Sequence, residues 1–300
     1  MCRFYKNFQK KKIALFWRYV LCYSIFSRKR GGAEMPCVKI KGIIVVMLCM
    51  TMLFLCACHA PGQTPQPEPS PQWEIPKIPG LALNGYEPEK FTQDNGFLRY
   101  DGDNCQVGID ASSHQGTINW SMVKAAGVDF AIIQVGYRGY TGGGLYMDPY
   151  FVENMEGAKA AGLQVGAYFF SQAITQEEAV EEAQFVLNCL EGYALDLPLF
   201  FDWEYIAAEA RTDHILGYSV GDFAASFCDE IEKNGYTPGV YFNKSLGYRI
   251  LPRVWQYELW YAEYNAPSPS FFYQFKTWQY TQTGTVPGIT GNVDLNIRFL

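Results

Sequence analysis

Phe200-Phe201-Asp202-Trp203-Glu204 puts two carboxylates two residues apart at the end of an apolar run, Leu197-Pro198-Leu199-Phe200-Phe201, that reads as a buried strand. Side chains alternate faces along a strand, so Asp202 and Glu204 project together. Carboxylates in apolar surroundings are costly, and their pKa values are pushed apart. One acid held protonated beside one held ionised is what cleavage of a glycosidic bond requires. A bare Asp-x-Glu is common, however, and a strand end turning into a polar loop would look the same. The elements around it decide how much it means.

From about Cys105 to Leu300, strand-like and helix-like runs alternate. The pattern predicts strands at 107–111, 129–136, 164–170, 197–202, 237–241, 259–262 and 275–280. Helices are expected at 121–126 (capped by Asn119), 149–161 (stopped by Gly162), 177–190 (Thr175 and Glu178 spaced as a capping box) and up to 234 (stopped by Gly235). This βαβα order argues an α/β fold with a parallel sheet, and seven or eight strands in one domain favour a closed barrel. In such barrels the reactive side chains sit at the carboxyl ends of the strands. Asp110, Gln134, Tyr137, Tyr168, Asp202, Glu204, Tyr241, Trp260 and Gln279 all fall there. The aromatics Tyr137, Tyr168, Tyr241, Trp260, Tyr264, Trp278 and Tyr280 are placed to stack on sugar rings, although aromatics at strand ends also serve simply as core. Gly139 to Gly144 lacks the Gly-Lys-Ser/Thr of a phosphate loop and reads as a flexible rim loop. Three His make no Ser-His-Asp set, and His114 reads as structural.

With these residues in place the body resembles glycoside hydrolase family 25, the Chalaropsis-type lysozymes. The matching stretches are Gly108 to Gly116, Ala167-Tyr168-Phe169-Phe170, Asp202-Trp203-Glu204, Leu259-Trp260-Tyr261-Ala262, Trp278-Gln279-Tyr280 and Gly288 to Asn296. The resemblance implies a modified TIM-like β/α barrel with fewer helices in its second half. It implies cleavage of the β-1,4 bond between N-acetylmuramic acid and N-acetylglucosamine in peptidoglycan, with no cofactor. Glu204 then corresponds to the general acid/base and Asp202 to its partner carboxylate, with Asp110 and Asp294 as two further acids of the groove. Whether Asp202 attacks the anomeric carbon or orients the substrate's 2-acetamido group stays open. The chain departs from the family at Phe169 and Glu263, where His is frequent; both positions are expected near the mouth.

The amino-terminal part is a different kind of sequence. Its first sixty residues hold eleven Lys and Arg against one acid, Glu34, which leaves 13 basic against 29 acidic residues in the remainder. So acidic a body argues against nucleic acid as a partner. Gly42 to Ala57 is an apolar run behind Lys39 and Lys41, short for a membrane span and right for the core of an export signal. It ends Leu55-Cys56-Ala57-Cys58, which resembles a bacterial lipobox with Cys58 as the lipidated residue; a retained anchor helix is the alternative. Met35 would make a natural start, so 1–34 reads as a possible mis-called extension. Residues 59–80 form a Pro-rich linker, which cannot bury a core. The expected organisation is a leader and signal over 1–58, this linker, a lead-in without assigned structure over 81–104, and a barrel over 105–300. The expected protein is an extracytoplasmic monomer, lipid-anchored to the membrane or secreted, facing peptidoglycan glycan strands. Six of nine Cys lie at or before Cys58; the remaining Cys105, Cys189 and Cys228 have no metal-type spacing and read as small buried apolar residues.

Two rival readings remain. A chitinase-like hydrolase of another N-acetylglucosamine polymer would carry acids at positions 200 and 197, where Phe200 and Leu197 stand. A wall-binding lectin would keep the barrel without turnover.

Overall fold

The computed structural model describes residues 75, 77–101 and 104–300. The lipobox-like segment with Cys58 and most of the linker lie outside the described residues. Eight strands close a barrel: β3 (Cys105–Ala111), β4 (Phe130–Arg138), β6 (Gln164–Ser171), β7 (Leu199–Trp203), β8 (Pro238–Asn243), β9 (Glu258–Ala262), β10 (Thr277–Gly284) and β11 (Val293–Phe299), with β3 pairing β4 on one side and β11 on the other. All neighbours are parallel except β11, which runs antiparallel to both β10 and β3. A short strand, β5 (Leu145–Met147), forms a hairpin with β4.

Five helices cover the outside: α1 (Trp120–Ala125), α2 (Phe151–Ala160), α3 (Gln176–Cys189), α4 (Gly217–Lys233) and α5 (Lys244–Val254). Asn119 caps α1 by accepting from Met122 N at 3.1 Å. Thr175 caps α3 by accepting from Glu178 N at 3.2 Å, while the Glu178 carboxylate reaches Ile174 N at 2.9 Å instead of closing a box on Thr175. No helix follows β9 or β10, so the thinning expected in the second half is present. The helix between β8 and β9 was not expected: Gly247 and Pro252 argue against one. Asn243 nonetheless starts it by accepting from Leu246 N at 3.0 Å, and a Cβ at 247 would come within 2.4 Å of the Phe242 ring.

The described segment 81–101 fills the missing helical cover. It contains a hairpin of β1 (Phe91–Asp94) and β2 (Phe97–Tyr100), turned at Asn95-Gly96 with φ of 50° and 87°, the left-handed pair a tight two-residue turn needs. Its aromatics lie on the outer wall of β10 and β11. Tyr86 stacks on Phe299 at 3.7 Å, Phe91 meets Trp278 edge-on at 5.6 Å, and Leu98 N donates to the Tyr280 hydroxyl at 3.1 Å.

Inside the barrel lies a small apolar plug, built from Phe130, Ile132, Leu197, Phe200, Tyr241, Trp260 and Ala262. Glycines make room for its large rings. A Cβ at Gly108 would stand 2.2 Å from the Phe130 ring, and one at Gly239 would stand 2.4 Å from Phe200. Cys105 and Cys228 are buried, as the small-apolar reading requires, while Cys189 is only half-buried. Among the described residues no helix is long and apolar enough to cross a membrane.

Candidate active site

Strand alternation gathers the acids. On β7, Phe200, Asp202 and Glu204 share the inner face, while Phe201 and Trp203 face the outer core. On β3 and β11, Asp110 and Asp294 are direct antiparallel partners. All four acids line one cavity of about 520 Å³ at the carboxyl ends of the parallel strands. Tyr137, Tyr168, Tyr241, Trp260, Tyr264 and Gln279 line the same cavity. Gln134 and Tyr137 lie on one strand with opposite parity, and a bulge between Gln134 and Gly136 reconciles them by shifting the pairing one residue.

Trp278 and Tyr280 do not line the cavity and are not placed to stack on a bound sugar. Gln279 points inward, so its neighbours on β10 point outward. Trp278 is fully buried in the outer core, its indole donating to Glu263 O at 2.9 Å, and Tyr280 packs beneath the β1–β2 hairpin. Phe169, expected near the mouth, is likewise turned outward, packed against Phe185 of α3. The Glu263 carboxylate holds Ser270 N at 2.7 Å and lies off the cavity lining.

A chain of hydrogen bonds fixes Asp110. Tyr241 and Tyr264 hydroxyls donate to Gln279 Oε1 at 2.8 and 2.7 Å, so the Gln279 amide nitrogen faces Asp110 and donates at 2.8 Å. The Trp260 indole donates to Asn296 Oδ1 at 2.8 Å, and Asn296 Nδ2 donates to the same Asp110 oxygen at 2.7 Å. Asn296 was not singled out from the sequence. Its signal is the i, i+2 spacing from Asp294, the rule that pairs Asp202 with Glu204.

Gln172, fully buried just after β6, holds the peptide of the acid itself. Its amide donates to Glu204 O and Ser171 O, both at 2.9 Å, and accepts from Thr212 Oγ1 at 2.9 Å. Since β7 ends at Trp203, this bond replaces the ladder contact that Glu204 lacks.

The cavity lining contains five carboxylates and no Lys or Arg. One of them, Asp148, commits both oxygens to backbone, Ser113 N at 3.0 Å and Tyr150 N at 2.9 Å. The other four are all harder to ionise than usual. Burial pushes Asp110 well up, reinforced by Asp294 and opposed by the two amide bonds. Burial pushes Asp202 well up, followed by the charges of Glu204, Asp110 and Asp294. Glu204 is raised by burial and then by Asp110. Asp294 is pushed up to about 6 by burial and then by Glu204. Asp202 Oδ1 is buried with no hydrogen-bond partner among the described residues. Among the described residues no group of three or more acids, His or Cys has the geometry to hold a metal ion.

Residues 109–289 match the model of glycosyl hydrolases family 25. The chain belongs to this family. It is 29% identical over 193 residues to an autolytic lysozyme of Clostridium acetobutylicum, covering 63% of this chain and 54% of that one. It is 32% identical over 206 residues to lysozyme M1 of Streptomyces globisporus, covering 63% and 66% respectively. The chain therefore spans about half to two thirds of the length of these curated relatives. Among solved structures, a bacterial lysozyme from Streptomyces coelicolor superposes with a TM-score of 0.53 at 28% identity, covering 65% of this chain and 91% of the other.

Proposed function

We propose that the protein is a muramidase, hydrolysing the β-1,4 bond between N-acetylmuramic acid and N-acetylglucosamine in peptidoglycan. The observation that carries the reading is the convergence of Asp110, Asp202, Glu204 and Asp294 on one cavity of a family 25 barrel. Two curated relatives bearing the name lysozyme support it.

Glu204 is the general acid. A glycosidic oxygen is a poor leaving group and must gain a proton as it departs. Burial and the neighbouring Asp110 charge keep Glu204 protonated above the usual glutamate range. Asp202, once it has lost its proton against the burial that raises its pKa, faces the positive charge that develops on the sugar. Its role is either to stabilise that charge or to orient the substrate's acetamido group. Asp110, held by Gln279 and Asn296, is the neighbouring charge that, after burial, raises Glu204.

Digestion of purified peptidoglycan, with the new reducing end identified, tests this. Reducing-end N-acetylmuramic acid is expected from wild type. Glu204→Gln should lose about 10²–10⁴-fold in rate. Retention of more than about a tenth of wild-type turnover by Glu204→Gln, or release of reducing-end N-acetylglucosamine, would refute the assignment.

The protein acts outside the cytoplasm, tethered through lipid on Cys58. The basic Lys39 and Lys41, the apolar run, Leu55-Cys56-Ala57-Cys58 and the Pro-rich linker support this. Mass spectrometry of the mature amino terminus should find a diacylated Cys58. An unmodified terminus beyond Ala60 would count against the tether.

A further inference from the structure

We propose that the β4–β5 hairpin is a second glycan contact, in which Tyr137, backed by Tyr146 and flanked by Tyr140, holds a pyranose ring of the chain beyond the sugars being cleaved. The inference rests on the muramidase reading of the cavity.

Tyr137 and Tyr146 are directly paired across the hairpin, and their rings stack at 5.4 Å with 30° between planes. Tyr137, Tyr146 and Tyr140 are 37%, 53% and 46% exposed. Three half-exposed aromatic rings on one short hairpin are a large apolar surface to leave in water. Tyr137 and Tyr140 also line the acid cavity, so the surface is continuous with the site of chemistry.

The glycines around Tyr146 shape its seat. A Cβ at Gly139 would stand 3.3 Å from its ring, and one at Gly144 would stand 2.8 Å from its hydroxyl. Tyr146 therefore lies on bare backbone on one side and against Tyr137 on the other, which leaves Tyr137 to present its second face to the cavity.

The hairpin is tied down, against the expectation of a flexible loop. Gly139 N donates to Gly144 O and Gly143 N to Gly139 O, both at 2.8 Å. Buried Arg138 donates to Gly143 O at 2.7 Å while bonded to Glu181 and Glu182 of α3, each at 2.7 Å. From the loop after β7, Arg211 N donates to Tyr140 O at 2.9 Å. A platform already ordered by such bonds loses little entropy on binding. The tyrosine faces carry no charge, and a pyranose presents an apolar C–H face that matches them. A polymeric glycan must extend past its cleaved pair, and this surface is contiguous with the cavity that holds the acids.

Titration calorimetry in a Glu204→Gln background, which stops turnover, tests the idea. The probes are a hexasaccharide and a disaccharide of alternating N-acetylglucosamine and N-acetylmuramic acid. Tyr146→Ala and Tyr140→Ala should each weaken hexasaccharide binding about 2- to 10-fold, the worth of one aromatic stacking contact. Tyr146→Phe, which keeps the ring, should stay within about twofold of the parent, and disaccharide binding should change less than hexasaccharide binding. Melting curves check that the variants fold, and Tyr140→Ala carries the test alone if Tyr146→Ala does not. A parent that binds both oligosaccharides while the alanine variants match it on the hexasaccharide overturns this inference alone. Equal losses on both oligosaccharides overturn it too, by placing the rings at the cleavage site. A parent that binds neither overturns the glycan reading and this inference with it.

Discussion

Glu204, Asp202, Asp110 and Asp294 confine four ionisable acids to one cavity without a Lys or Arg, so mutual repulsion and burial keep protons in the pocket. This has a sign for stability. A carboxyl with a raised folded pKa costs folding free energy that builds as the pH rises from the unfolded value to the folded one, is full above the folded value and vanishes below the unfolded value. For Asp294, raised from 3.8 to about 6, the window runs between those values. At about 1.4 kcal/mol per unit, the cost at neutral pH is about 3 kcal/mol. The protein should therefore gain stability on mild acidification from neutral pH. Asp294→Asn should melt higher than wild type at pH 7.5 and show a flatter rise toward acid. Thermal melts from pH 4 to 8 measure both, and an Asn variant melting lower at pH 7.5 would sink the idea. Activity follows the same logic: the rate should fall as the pH rises through the elevated Glu204 value, above the ordinary 4.5.

The strands position these acids through what lies beneath them. Phe130 and Phe200 fill the barrel below the cavity only because Gly108 and Gly239 have no side chain. Gly108→Ala should cost about 1–3 kcal/mol through overpacking. Gly85→Ala, at a position with nothing within 4 Å of the added carbon, should be near neutral. Urea unfolding compares them, and equal midpoints would contradict the plug. The alternation of β3, β4 and β6 to β9 was legible in the sequence because parallel buried strands are apolar runs between capped helices. Strand β11 was not read as a strand, because Asp294, Asn296 and Arg298 break its apolar run, although their spacing has the period of a strand. Gly247 and Pro252 hide helix α5, and Asn95-Gly96 is the one short turn signal for the β1–β2 hairpin. The misplacement of Trp278 and Tyr280 has a plain cause. Aromatic type alone suggests stacking, but the period of two that turns Gln279 inward turns both outward.

At the scale of the whole molecule, the folded unit begins well before the family match at Ile109. The segment from Lys77 to Tyr100 covers Trp278, Tyr280 and Phe299 on a wall that no helix protects. A chain starting at Cys105 should expose these rings, each worth about 1.5–3 kcal/mol of burial, and aggregate or melt far lower. One starting at Lys77 should melt within a few degrees of the full-length protein. Scanning calorimetry of the two separates the cases, and matching transitions would show the cover to be dispensable. The antiparallel seam between β3 and β11 has a consequence in time. Asp110 lies on the first strand of the barrel and Asp294 on the last, and they face each other only when the seam is zipped. Asn296, which holds Asp110, arrives with that same last strand. A chain still emerging from the ribosome therefore carries Asp202 and Glu204 long before it owns a complete site. The four-acid cavity is completed only when the last strand of the barrel pairs with the first, not accumulated strand by strand.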